Sequence, residues 1–129
     1  MKKTILALSA IILFTGSIAY ASENQPEVNR ESKVIMAFEI NALCKAIIKG
    51  DINVVRELIA QGEDVNRKSL GKTPAHFAAR YNKPEILQLL IANGANIKAR
   101  CDKGYTVKKH AELSNSKEAL EVIKSAMKR

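Results

Sequence analysis

The sequence predicts an all-α protein, a helical solenoid of about three stacked helix–turn–helix units. Three observations carry this expectation. Short amphipathic stretches come in pairs, "NALCKAIIKG" with "NVVRELIAQG" and "TPAHFAARYN" with "PEILQLLIANG". Equivalent residues recur at a fixed offset: Thr73 and Thr106, Gly71 and Gly104, and Ala78 and Ala111 are 33 apart, while Ala46 and Ala78, Leu58 and Leu90, and Gly62 and Gly94 are 32 apart. A helix pair of this size cannot bury its own apolar face, so neighbouring pairs must share one continuous core. The difference between the two offsets places a one-residue deletion in the connection near Arg67.

The chain opens on "MKKTILALSAIILFTGSIAYA", where Lys2 and Lys3 precede an uncharged run and Ala19-Tyr20-Ala21 offers the small residues of a cleavage site. This reads as a secretory signal peptide over 1–21, with the mature chain starting at Ser22. Export to a periplasm or out of the cell is the expected consequence. The mature chain then has 129 − 21 = 108 residues, enough for one small domain. Of 21 basic residues the signal holds two, so the mature charge is 19 − 13 = +6, which favours an acidic partner or an anionic surface. Past Ser22 no apolar run approaches membrane length, so no stable membrane insertion is expected after cleavage.

Residues 22–32, "SENQPEVNRES", are polar and without apolar period, a flexible leader. The repeat domain is expected over 33–129, in units of about 38–67, 68–100 and 101–129. Both stretches of the first pair, "NALCKAIIKG" and "NVVRELIAQG", close on a glycine suited to a helix C-terminus, and a third pair follows in "TVKKHAELSN" and "KEALEVIKSAM".

The segment "GKTPAHFAARYNKPEILQLLIANGANIKA", Gly71 to Ala99, resembles an ankyrin repeat: the glycine, the Thr-Pro-x-His-x-Ala-Ala helix start, the Leu-Leu pair and the Gly-Ala-Asn-Ile end are all in register. Asp51 to Asn66 resembles the second half of a preceding repeat, and 102–127 a diverged following one, so the fold class becomes an ankyrin-type solenoid. The departures lie at the ends. Asn41-Ala42-Leu43-Cys44 and Thr106-Val107-Lys108-Lys109 replace the regular helix start, and the last helix carries Lys117, Glu118, Glu121, Lys124 and Lys128. Terminal repeats need polar outer faces, so these departures fit caps.

Within the regular unit, Gly71 suits a tight turn with positive φ. Thr73 is the expected N-cap, its hydroxyl accepting from an orphan amide, and Pro74 sits where the missing N–H costs nothing. The resemblance implies that Thr73 and His76 hydrogen-bond the turn and tie neighbouring units together, which makes His76 structural. Ala78 and Ala79 are small because helices pack closely there.

No catalytic pattern emerges: the sequence has no G-x-S-x-G, H-E-x-x-H, C-x-x-C or Gly-rich phosphate loop. A Cys44–His76 pair would be split between units stacked on the order of 10 Å apart, beyond the reach of proton transfer. Cys44, His76, Cys101 and His110 are separated by 32, 25 and 9 residues, a spacing that fits no compact zinc pattern, and the stack is expected to spread them. An enzyme, a cofactor and a metal are therefore not expected. Although two cysteines in an exported chain invite a disulfide, Cys44 in the first unit and Cys101 in the third are expected to be too far apart. Two unpaired thiols follow, Cys44 buried and Cys101 nearer the surface.

The resemblance implies a protein-binding scaffold that uses the turn tips and the exposed side of each first helix. Those positions are Lys45, Ile48 and Lys49 in unit one, Ser69, Leu70, Lys72, Phe77, Arg80 and Tyr81 in unit two, and Arg100, Asp102, Lys103, Tyr105, Leu113 and Ser114 in unit three. They hold six basic residues, one acid and three aromatics, the types that dominate interface energetics. Lys49, Lys72, Phe77, Arg80, Tyr81, Arg100, Lys103 and Tyr105 are the candidate partner-binding residues, and an acidic protein met by a monomer is the expected partner. Nucleic acid has only the charge in its favour. A redox-protection factor acting through Cys44 or Cys101 is the alternative.

Overall fold

The computed structural model describes residues 40–129. The signal peptide expected over 1–21, the leader over 22–32 and residues 33–39 lie outside the described residues. Six helices follow in three pairs: α1 (Ala42–Lys49) with α2 (Ile52–Ala60), α3 (Pro74–Arg80) with α4 (Pro84–Ala92), and α5 (Val107–Leu113) with α6 (Lys117–Met127). The first helices stack as α1, α3 and α5, and α2, α4 and α6 form a second row behind them.

Local chemistry starts each helix. The Asn41 carboxamide accepts from the Cys44 amide (2.8 Å), Asp51 from Val54 (3.2 Å) and the Thr106 hydroxyl from Lys109 (3.2 Å), so each satisfies one amide that the helix cannot. Pro74 and Pro84 open α3 and α4. The turn inside each pair needs one residue in the left-handed region, and Gly50 (φ 76°), Asn82 (φ 51°) and Asn115 (φ 53°) stand there at successive repeat offsets. Glycine and asparagine are the residues that tolerate it best.

The connection between pairs carries the length difference. In the second unit Ser69 and Lys72 pair around a two-residue tip, Leu70 (φ 49°) and Gly71 (φ 74°). In the third unit the Cys101 amide donates to the Tyr105 carbonyl (2.9 Å) around a three-residue tip, Asp102 to Gly104. The deletion therefore lies in the tip at Leu70, not near Arg67. Two consecutive positive φ angles define the tight hairpin turn that favours Asn-Gly, and Leu70 is 45% exposed, so its side chain is not held there by packing. Leu70→Asn is expected to raise the unfolding free energy by about 0.5–1 kcal/mol, since left-handed leucine costs about 1–2 kcal/mol. Urea unfolding checks it: an unchanged or lower midpoint would count against a strained tip.

One core runs through all three units. Leu43, Ile47 and Val55, then Ile86, Leu87 and Leu90, then Val107, Ala111, Ala119 and Ile123 are buried in a single cluster, with Ala78 and Ala79 at 0% exposure where the rows meet. Polar ties run alongside it. The Asn66 carboxamide donates to Gly94 O (3.0 Å) and accepts from the Asn96 amide (2.8 Å). Asn82 accepts from the Ala119 amide (3.0 Å) and so caps the start of the neighbouring unit's α6. Among the described residues, no helix is long and apolar enough to cross a membrane.

Candidate functional site

The regular unit is fixed to its neighbour by His76. Thr73 is the N-cap, and His76 at the third helical position reaches back to it as in a capping box. The Thr73 amide donates to His76 Nδ1 (3.2 Å), and the Thr73 hydroxyl lies 2.7 Å from the same nitrogen, so its short bond goes to the imidazole. Because an amide N–H can only donate, Nδ1 is the acceptor, the ring proton sits on Nε2, and Nε2 donates to the Tyr105 carbonyl in the next unit (3.1 Å). Both ring nitrogens are committed and the side chain is fully buried, which agrees with a structural role.

Four candidate partner-binding residues converge. Lys72, Arg80, Lys103 and Tyr105 line a depression of about 270 Å³ together with His110, Leu113 and Ser114. Lys72 and Lys103 come from successive turn tips, Arg80 from the end of α3, so a single basic concavity spans units two and three. Tyr81 is 44% exposed beside Arg80, outside this lining. Lys49 is exposed on the first unit, and the Arg100 guanidinium folds onto its own turn, donating to Gly104 O (2.8 Å). A larger cleft of about 570 Å³ between α4 and α6 contains none of the candidate residues.

Three expectations are corrected. Phe77 is not on the exposed face; it is 4% exposed, its ring is in the core, and Lys72 Nζ lies 5.9 Å from the ring centroid on the solvent side. Cys101 is not near the surface but 5% exposed, because its backbone pairs with Tyr105 and turns the thiol inward. The stack does not spread the soft donors either, since one donor atom from each of His76, Cys101 and His110 lies within 4.8 Å of the others. Both cysteines are unpaired, and burial pushes the Cys44 thiol up to about 12.

His110 was missed as a lining residue, although one signal was present: it stands 33 residues after Phe77 and inherits that inward-facing position. Its ring meets His76 edge-on at 4.9 Å and Tyr105 at 6.2 Å. Burial, helped by His76, Lys72 and Arg80, lowers its pKa from 6.5 to about 4; burial also lowers that of His76. Both imidazoles are thus neutral in the folded chain at pH values where those of the unfolded chain take up protons. The His110 contribution to stability is complete above pH 6.5 and is lost as pH falls towards 4, and the lowered pKa of His76 acts in the same direction. Urea midpoints are expected to drop between about pH 7 and pH 5, and less so in His110→Phe; a flat profile would contradict neutral buried rings.

A family model for ankyrin repeats in three copies matches residues 12–101. The chain belongs to the ankyrin repeat family. This ankyrin repeat chain is 44% identical to myotrophin from Xenopus tropicalis over 40% of its own length and 44% of that protein. It is 34% identical to a vapyrin-like protein from Medicago truncatula over 74% of its length and 22% of that protein. With human protein phosphatase 1 regulatory subunit 27 it shares 36% identity over 49% of its length and 42% of that protein. The ankyrin repeat chain thus spans less than half of each of these relatives. The crystal structure of the human ASB11 ankyrin repeat domain superposes with a TM-score of 0.63 at 25% identity, covering 67% of this chain and 39% of that one. In the present chain α5 and α6 lie beyond the residues that the family model matches, 12–101, yet repeat the same helix pair.

Proposed function

We propose that this ankyrin repeat chain is an exported, non-enzymatic protein-binding scaffold that takes an acidic segment of a protein partner across units two and three. The observation that carries the reading is the depression in which Lys72, Arg80 and Lys103 surround Tyr105. Two turn tips and a helix end converge on it, and among the described residues none of the three cations has an ion-pair partner. Such a surface offers positive charge and an aromatic ring at once, the combination that gives a charged partner both steering and contact energy. The likeness to a phosphatase regulatory subunit supports a partner-binding role of the same class. Three short units offer a modest interface, which suits a short acidic segment better than a large folded face.

The redox alternative is disfavoured by the same structure: both thiols are buried, and burial holds Cys44 as the unreactive thiol. Pull-down from the envelope and medium of the exporting cell tests the proposal. The wild type is expected to recover a partner with an acidic surface, in a salt-sensitive manner, and Arg80→Glu combined with Tyr81→Ala is expected to lose about 10-fold or more of that recovery. Equal recovery of the same partner by both would sink the assigned face.

A further inference from the structure

We propose that Cys101 and His110, with His76 beside them, form a binding site for a soft monovalent cation, Cu⁺, at the floor of the basic depression. The repeat geometry brings the three together. His76 leans into the next unit to reach the Tyr105 carbonyl, and the Cys101 amide donates to that same carbonyl (2.9 Å). His110 crosses the His76 ring edge-on, and one donor atom of each residue lies within 4.8 Å of the other two. Two of the donors are uncommitted. The Cys101 thiol is free, and among the described residues His110 Nε2 is the one buried side-chain nitrogen or oxygen with no hydrogen-bond partner. His76, in contrast, has both ring nitrogens engaged.

That division selects the ion. Structural Zn²⁺ takes four tetrahedral ligands, whereas this cluster supplies two free donors and a third that would have to leave Tyr105. Cu⁺ is favoured by thiolate, accepts imidazole, and is satisfied by two ligands in a line. All three donor atoms lie within 4.8 Å of one another, close enough for one ion to meet the two free donors after small side-chain adjustment. Charge points the same way: Lys68, Lys72 and Arg80 already act on the two imidazoles. A thiolate with Cu⁺ adds no net charge there, while a thiolate with Zn²⁺ adds one. On binding, the Cys101 S–H bond breaks, its electron pair goes to the metal, the proton leaves to solvent, and copper enters and stays as Cu⁺. His110 lines the depression and gives the ion its way in.

Anaerobic titration of the full chain against the Cu⁺ complex of bicinchoninate tests the site. The wild type is expected to withdraw one Cu⁺ per chain. Cys101→Ser and His110→Phe, the latter installing the residue type that unit two carries at the matching position, are expected to weaken binding at least about 100-fold with far-UV dichroism and thermal unfolding retained. Cys44→Ser, altered in the sealed core of unit one, is expected to match the wild type. Zn²⁺ is expected to bind at least about tenfold more weakly than Cu⁺. Failure of the wild type to withdraw Cu⁺, equal uptake by Cys101→Ser, or tighter binding of Zn²⁺ would overturn the assignment.

Discussion

Replacing His76 with alanine is expected to cost about 3–5 kcal/mol of folding stability, as much as truncating a large buried apolar side chain. Three contributions overlap in it, and because they share one side chain and the void partly relaxes, the total stays below their sum. The Thr73 amide is buried and loses its acceptor, Nδ1, at a cost of about 1–3 kcal/mol for an unsatisfied group. The bond from Nε2 to Tyr105 goes, worth about 1 kcal/mol; the carbonyl itself keeps the Cys101 amide and is not orphaned. An imidazole-sized void then opens at a fully buried position, and truncating a large buried ring typically costs about 3 kcal/mol or more before neighbours relax. A domain of this size has roughly 5–13 kcal/mol in total, so the variant is expected near its unfolding limit. His76→Gln, whose carbonyl oxygen can accept from the Thr73 amide, is expected to recover part of the loss. Equilibrium urea unfolding checks both; a loss under about 1 kcal/mol in His76→Ala would show that the clamp is decorative.

His76 also shows what the sequence carries openly and what it hides. Its role followed from the resemblance to an ankyrin repeat, and the resemblance could be seen because the Thr-Pro-x-His start is local: the N-cap, the proline and the imidazole all act within one turn of helix. The turn inside each pair was legible in part: the glycine that closes the first helix, Gly50, was read from the sequence, whereas the structure adds Asn82 and Asn115 as its left-handed equivalents at the repeat offsets. Family membership was legible for this reason, since a 33-residue period is made of such local rules.

The site was less legible because it depends on how far side chains reach between units. Stacked helices stand about 10 Å apart, and reasoning from that spacing separated His76, Cys101 and His110. The rings and the thiol, however, extend towards one another from the helix and the turn, and His76 crosses the gap to bond the next unit's backbone. Phe77 failed in the opposite direction. Its helix face was assigned by position, but a large apolar ring at the rim of the core gains more by turning inward, and Lys72 lays its ammonium over it instead. The basic depression combines both cases: Lys72, Arg80, Lys103 and Tyr105 follow from the repeat register, while His110, its deepest polar group, requires the fold.

A chain ending at Arg100 is expected to lose cooperative folding, although the family-model match ends only one residue later, at Cys101. Residues 101–129 are not an appendix to two complete units. Val107, Ala111, Ala119 and Ile123, each at 0% exposure, close the same core that begins at Leu43, and without them the sides of α3 and α4 that pack on α5 and α6 would face water. Polar ties would end with them too: among others, His76 would lose Tyr105, Asn82 would lose the Ala119 amide, and the Arg80 carbonyl would lose the Ser116 hydroxyl (3.3 Å). The new end would also be the wrong end. A terminal unit must be polar on its outer side; α6 meets this with Glu118, Glu121 and Lys124 exposed, whereas α4 carries Ile86, Leu87 and Leu90, all buried. Because stability in a stacked array is close to a sum of unit and interface contributions, with about three units as the minimum, removing one unit and one of two interfaces is expected to cost at least about 4 kcal/mol. Far-UV dichroism during urea titration should show a shallow transition with no folded baseline. If the truncated chain unfolds cooperatively within about 1 kcal/mol of the full chain, the two leading units are self-sufficient, and the third is a cap in sequence only.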